Sequence, residues 1–441
     1  MNDKIYDYVG VGIGPFNLSL ACMLDPINDL EGIFLDKGER FNWHPGLLFD
    51  DARLQTPFMS DLVTLADPTS PFSFLNYIKE QGRLYSFYIR ENFFLLRNEY
   101  NQYCQWAASK LSNLVYNTEV SNIEYDQAQL CYVIQSTSTT TGTAKIYRAK
   151  KLILGSGPVS HVPLCCESLA GDVIHASKYL FEKSNMQAKK SITVVGSGQS
   201  AAEIVLDLLQ DIHQYDYELS WITRSPRYFP LEYTKLTLEM TSPEYVDYFY
   251  DLPVKKREKL NRDHVHLAKG INGDTINEIS DTLYEKRIIK DIKVNLFTNS
   301  ALETVTFNKK NGQYEMEFLQ WEEKKRYAHD TEGLILSTGY AFHIPDYLEG
   351  ITSRIRWNEQ GQYDTHRYYT IDHDNKYIFV QNAEHHTHGF VTPDLGMCCY
   401  RNSHIIRQML GYEYYPIETK IAFQAFAVSS GREIKTEETV S

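Results

Sequence analysis

Short apolar runs that stop at or near a glycine recur along the chain, at Tyr6–Val11, Gly32–Leu35, Lys151–Leu154, Ser191–Val195, Leu219–Ile222 and Gly333–Leu336. Each has the length and the content of a strand, and several pass through glycines into apolar positions spaced as on one helix face. That alternation predicts a doubly wound α/β protein. Between two strands, "STSTTTGT" (Ser136 to Thr143) reads as a tight polar loop, and "ENFFLLRNEYNQYCQWAASKL" reads as a core-packing helix. The polar tail from Ser429 to Ser441 is expected to fray.

The first run carries chemistry. In "YDYVGVGIGPFNLSLACML" an apolar strand leads through Gly10, Gly12 and Gly14 into an amphipathic pattern that opens at Pro15. Gly12 and Gly14 fit the first two glycines of the dinucleotide fingerprint, which let the backbone turn tightly and approach a pyrophosphate resting on the helix N-terminus. Asn17 stands at the third small position, a departure from Gly or Ala. Asp36 ends the next strand, about 20 residues on, where a carboxylate takes ribose hydroxyls. A second fingerprint, "SITVVGSGQSAAEI", has Gly196, Gly198 and Ala201 in full spacing and places Gln199 and Ser200 at the turn. The strand after it ends in Arg224 and Arg227, cations suited to a 2′-phosphate. Two nucleotide sites in one chain imply electron transfer between cofactors, and FAD at the first with NADPH at the second is the arrangement that fits.

Composition narrows the partners. The chain has 441 residues, enough for two or three domains, and a net charge of −13, which argues against nucleic acid and suits a cationic substrate. It has no apolar run long enough to span a membrane, and its first residues read as no export signal, so a cytoplasmic protein is expected. Seven cysteines, among them the adjacent pairs Cys165-Cys166 and Cys398-Cys399, include no C-x-x-C; they read as buried thiols and count against a disulfide reductase. In "EHHTHG", His385, His386 and His388 lack a carboxylate or thiol at ligand spacing, so no metal is expected.

Longer stretches carry a resemblance. "GVGIGPFNLSLA", "FNWHPGLLFDDARLQTPFMSDLVTLADPTSPFSFLNYI", "GSGQSAAEI", "LSTGY" and "THGFVTPDLGM" resemble the siderophore-pathway N-hydroxylating monooxygenases, in order from about Tyr6 to Arg407. "LAGDVIHASKY", with Gly171, His175 and Tyr179, is similar to a segment of flavin monooxygenases that retain NADP⁺, although Leu169 replaces the usual Phe. The resemblance implies two Rossmann-like domains: an FAD domain from residues 1–188 and 326–428, and an NADPH domain at 189–325. A helical substrate region is inserted at about 228–290. It also implies N-hydroxylation of a primary amine by O2 through a 4a-hydroperoxyflavin, in an enzyme expected to be a dimer or tetramer. Trp43 and His44 would flank the flavin, with Thr387, His388 and Gly389 as a second contact segment and Thr338, Gly339 and Tyr340 at the return to the FAD domain. Gln55 would stand beside flavin and nicotinamide, its amide donating to the peroxide.

One departure bears on the substrate. Relatives acting on ornithine or lysine carry a lysine five residues after the glutamine, where it pairs with the substrate's carboxylate; here the residue is Ser60. A serine cannot supply that charge, and its segment is closer to the diamine hydroxylases. Putrescine, then cadaverine, is the expected substrate, with histamine, or the lysine or ornithine side chain, as alternatives. An NADPH oxidase without coupled hydroxylation is the rival class. Asp394 is the candidate for the distal ammonium; Glu239, Glu232 and Glu244 are the others.

Overall fold

The computed structural model describes residues 4–169, 173–428 and 430–432. Gly171 and most of the expected fraying tail lie outside them. Two sheets organise the rest. Neighbours in the first run Leu114–Val115, Gly32–Leu35, Ile5–Val11, Ala144–Leu154, Cys131–Ser138 and Thr118–Asp126, and Ile378–Val380 also pairs with Ala144–Leu154. The second is parallel throughout: Ile174–His175, Gly333–Leu336, Ser191–Val195, Glu218–Ile222 and Val294–Phe297. An antiparallel meander, Ser300–Asn308, Gln313–Gln320 and Lys325–Thr331, precedes the Gly333–Leu336 strand.

Several expectations are corrected by this topology. The second sheet takes in Ile174–His175 and Gly333–Leu336, both outside the 189–325 span, because these strands hydrogen-bond to each other and to Ser191–Val195. "STSTTTGT" begins inside a strand: Cys131–Ser138 stays paired to Ala144–Leu154, which leaves only residues 139–143 to turn. In the supposed core-packing helix, Phe94–Leu96 is a strand paired with Arg53–Pro57, and the helix is Arg97–Lys110. The helix Pro15–Leu24 is covered almost all round instead of amphipathic, since it packs on both Arg97–Lys110 and Cys398–Leu410. The insert is helical as read, yet its last helix, Gly273–Ile289, packs on the helix of the second nucleotide turn and shares its core through Ile276, Ile279 and Leu283.

A buried charge pair secures the return of the chain to the first sheet. Arg401, on the Cys398–Leu410 helix, lies 2.9 Å from Glu384, with side-chain exposures of 2% and 0%. The guanidinium also donates to Thr392 O, and Glu384 accepts from Ala383 N–H at 2.7 Å. Burial pushes the Glu384 carboxyl up while Arg401 pulls it down, so its charge depends on its partner. The pair ties the segment carrying Thr387–Asp394 to a core helix. Removing one member leaves an uncompensated buried charge, so Glu384→Gln should cost about 3–5 kcal/mol, seen as a lower urea midpoint. Glu384→Leu combined with Arg401→Met should recover most of that loss.

Candidate functional site

The two nucleotide turns are built alike. Gly12 (φ 88°) and Gly196 (φ 143°) take left-handed conformations, and a β-carbon on them would lie 2.4 Å from Gly155 O and 2.2 Å from Ser337 O. Only glycine permits that approach of turn to neighbouring strand. Beyond them, Gly14 and Gly198 cap the helices Pro15–Leu24 and Gln199–Tyr215 without a side-chain hydrogen bond. A β-carbon on Gly14 would meet nothing within 4 Å, and one on Gly198 only Lys269 O at 3.9 Å. Both helix starts therefore offer backbone N–H groups to open space, which fits a pyrophosphate. Asn17 occupies the third position because Gly155 makes room for it, and its amide donates to Gly12 O at 2.7 Å. Asp36 accepts from Ile13 N–H at 2.6 Å and Gly38 N–H at 2.7 Å, bracing the first turn from the next strand. Arg224 and Arg227 are exposed past Glu218–Ile222; Arg227 lies over the Phe229 ring, and Arg224 has no partner among the described residues.

Between the turns, an aromatic cluster joins distant segments. His44 (φ 51°) lies beside the rings of Trp43 and Tyr340, at 5.0 and 5.7 Å, and its Nδ1 is 3.3 Å from the Tyr340 hydroxyl. His175 reaches Gly339 O at 3.0 Å, and Thr338 donates to His161 O. Tyr179, by contrast, is buried and donates to Asp207 at 2.6 Å, a core contact of the second part. Burial lowers the His44 imidazole to about 4, with nearby Arg97 pushing the same way.

Gln55 lies where three parts of the chain meet. Its amide nitrogen is 3.5 Å from Gln199 Oε1 and 3.4 Å from Gly270 O, long contacts to the second nucleotide turn and to the insert. Gln199 is itself fixed: its oxygen accepts from Asn272 N–H at 2.8 Å, and its nitrogen donates to Glu203 at 2.9 Å. Glu203 pairs with Arg97 through two bonds of 2.6 and 2.9 Å, a link that the motifs did not announce. Ser200 is half-buried on the same turn.

Ser60 and Asp394 are brought together. A β-carbon on Gly396 would lie 3.3 Å from Ser60 Oγ and 3.1 Å from Asp394 Oδ1. Asp394 accepts one hydrogen bond, 2.7 Å from Gly396 N–H, and forms no ion pair among the described residues. Its burial raises the carboxyl, which Gly396 N–H and Arg401 partly offset. Glu239 is placed elsewhere: half-buried, it accepts from Gln424 N–H at 3.0 Å, while Glu244 accepts from Ile421 and Ala422 N–H at 2.8 and 3.0 Å. Glu232 turns back on its own chain, accepting from Thr234 N–H. Of the four candidate acids, Asp394 is the one beside Ser60. Thr387 and His388 are buried; His388 stacks on Tyr369 at 4.7 Å and bonds to Arg367 O, and Gly389 abuts Phe249 of the insert. His386 bonds to Tyr363 O, and the backbone carbonyl of His385 accepts from Asn261. Among the described residues no group of three or more His, Cys, Asp or Glu is arranged to hold a metal, and no helix is long and apolar enough to cross a membrane.

The chain is similar to known proteins in sequence and in fold. Residues 4–342 match the family described as L-lysine 6-monooxygenase/L-ornithine 5-monooxygenase. Over 423 residues the chain is 51% identical to the putrescine N-hydroxylase of Shewanella oneidensis, spanning 96% of this chain and 84% of that one. The FAD-bound cadaverine monooxygenase of the desferrioxamine pathway from Erwinia amylovora matches with a TM-score of 0.95 and 53% identity, over 97% of this chain and all of that one (100%). The ornithine N-hydroxylase of Kutzneria sp. 744, with reduced FAD, NADP⁺ and L-ornithine, matches with a TM-score of 0.84 and 25% identity, over 92% and 99% of the two chains.

The low value of His44 sets a pH dependence. As pH falls from 6.5 toward about 4, the unfolded chain takes up a proton that folded His44 refuses, so stability is full above this window and drops through it. His385, lowered to about 4, and His404, lowered to about 3, act in the same direction. The urea midpoint should therefore be lower at pH 5 than at pH 7.5. His44→Asn, which tolerates the left-handed backbone, should remove part of that difference, up to about 2 kcal/mol.

Proposed function

The chain belongs to the L-lysine 6-monooxygenase/L-ornithine 5-monooxygenase family, and we propose that it N-hydroxylates one amine of a small aliphatic diamine, putrescine before cadaverine, using FAD and NADPH, for a hydroxamate siderophore. As a member it is a flavin-dependent N-hydroxylating monooxygenase. The observation that carries the diamine reading is the pairing of neutral Ser60 with the half-buried Asp394, which forms no ion pair among the described residues. Relatives named for putrescine and cadaverine support it.

FAD supplies the redox centre that accepts a hydride from NADPH and activates oxygen. The Gly12–Pro15 turn, with Asn17 and Asp36 behind it, would hold its pyrophosphate and ribose, and Trp43, His44 and the Thr387–Gly389 segment would flank its ring. Gly196, Gly198, Gln199 and Ser200 would take the second nucleotide, with Arg224 for a 2′-phosphate. Thr338–Tyr340 would close the space between the two. Gln55 would be held toward the reacting atoms by Gln199 and Gly270.

The substrate chemistry then follows from charge. The reacting amine must be neutral, while the other end of a diamine stays an ammonium. Asp394 receives that ammonium, and the new partner reverses the upward pull of burial on its carboxyl. An amino-acid carboxylate entering the same place would meet Asp394 and a serine. Arg401, the buried cation of this segment, is already matched by Glu384. The exposed apolar side chains of Tyr85, Tyr88, Ile89 and Phe93 give the homo-oligomer of this reading a face on which to form.

The test is an aerobic NADPH assay with hydroxylamine detection over putrescine, cadaverine, ornithine and lysine. Both diamines should couple, and the amino acids should fall below them by about 1.5–3 kcal/mol, one to two powers of ten in kcat/KM. Ser60→Lys should cut putrescine turnover by a similar factor, because its ammonium would occupy Asp394. Preference of the unmodified enzyme for ornithine or lysine would overturn the reading. A separate expectation concerns Arg224: Arg224→Ala should narrow the preference for NADPH over NADH by roughly a charged hydrogen bond, about 1.5–3 kcal/mol, read as the ratio of the two kcat/KM values.

A further inference from the structure

Where the chain leaves the second nucleotide strand it is pinned residue by residue. The Tyr228 ring lies 4.0 Å from that of Trp221, and its hydroxyl donates to Trp221 O at 3.0 Å. Pro230 bridges to Ile271, and Leu231 N–H donates to Ile271 O at 2.7 Å. The crossing is tight, since a β-carbon on Gly270 would fall 2.4 Å from Leu231 N. The carbonyl of that same Gly270 faces the Gln55 amide.

Two residues beyond the crossing, the Tyr233 ring meets the Phe94 ring edge to face at 5.9 Å and 71°. Phe94 lies opposite Pro57 in the ladder with Arg53–Pro57, between Gln55 and Ser60 along the chain. Tyr233 and Phe94 are both only half-buried, so the aromatic pair lies at the edge of the core instead of inside it. The Tyr233 hydroxyl has no hydrogen-bond partner among the described residues. Burial and the nearby negative charge of Asp394 push this phenol up to about 12, which keeps it protonated at any working pH.

An alkylammonium has three donors, and Asp394 offers it two oxygens, one already engaged with Gly396 N–H. We propose that Tyr233 is a specificity-determining residue of the amine pocket: braced by Phe94, its ring forms a wall, and its hydroxyl is a second acceptor, beside Asp394, for the distal ammonium of an aliphatic diamine. The ring face adds a cation–π attraction to the same charge. This rests on the diamine reading above.

The experiment uses FAD-loaded enzyme and putrescine, comparing wild type, Tyr233→Phe, Asp394→Asn and the double variant by steady-state kinetics and by calorimetric Kd on the oxidised enzyme. Tyr233→Phe should keep FAD content and unfolding midpoint, raise KM and Kd by about tenfold and leave kcat within about twofold. In the Asp394→Asn background the same change should have a clearly smaller effect, since both groups hold one ammonium. Unchanged KM and Kd, a loss confined to kcat, or an equal loss in both backgrounds would overturn the assignment while leaving the diamine reading intact. A wild type that hydroxylates no diamine would remove that reading itself, and Tyr233's role with it.

Discussion

The Gln199 side chain is the point on which the assembly of the site depends. Its oxygen accepts from the Asn272 backbone N–H, its nitrogen donates to Glu203, and Gln55 leans on it. Glu203 in turn takes both guanidinium bonds of Arg97, a residue that starts the helix after the Phe94–Leu96 strand. One amide thus ties the second nucleotide turn to the insert and to the segment carrying Gln55 and Ser60. A primary amide suits this place because it donates and accepts at once and carries no charge that would need a buried partner. The ion pair behind it fixes the direction in which the amide points. The geometry around Gln55 is thereby set by groups outside the nucleotide turn of the first sheet.

Local pattern revealed the frame and left its joints hidden. Strands such as Ile5–Val11, Ser191–Val195 and Gly333–Leu336 were legible because an apolar run ending in glycine is a local signal. The turns were legible for the same reason, and Asn17 looked anomalous only because Gly155, which makes its room, is far away in the chain. Sheet membership was not legible: Gly333–Leu336 reads as a strand from its residues, but its place in the second sheet is decided by Ile192 and Val195 opposite it. Phe94–Leu96 was read as helix because Arg53–Pro57, the partner that makes it a strand, lies some forty residues away. The acids divide in the same way. Asp394 was ranked ahead of Glu239 and Glu244 from the sequence, and the hydrogen bonds from residues 421–424 that make those two anchors were not legible there.

Those anchors have a consequence for the order in which the protein is made. Glu239 and Glu244 belong to the insert, whereas the N–H groups they hold come near the end of the chain, and Phe426 closes the contact by meeting the Tyr245 ring at 5.1 Å. The separation between Glu244 and Ile421 is 177 residues. At roughly 5–20 residues per second, that is about 10–35 s of translation during which the insert exists without its strap. Tyr245 also packs on Phe390, four residues before Asp394, and neither the Phe390 segment nor the Ile378–Val380 strand that completes the first sheet has been made when the insert emerges. The second sheet, finished at Leu336, can close before that strap is made. The nascent chain therefore completes the second sheet first, and the contacts that strap the insert to the Phe390 segment and to residues 421–426 later.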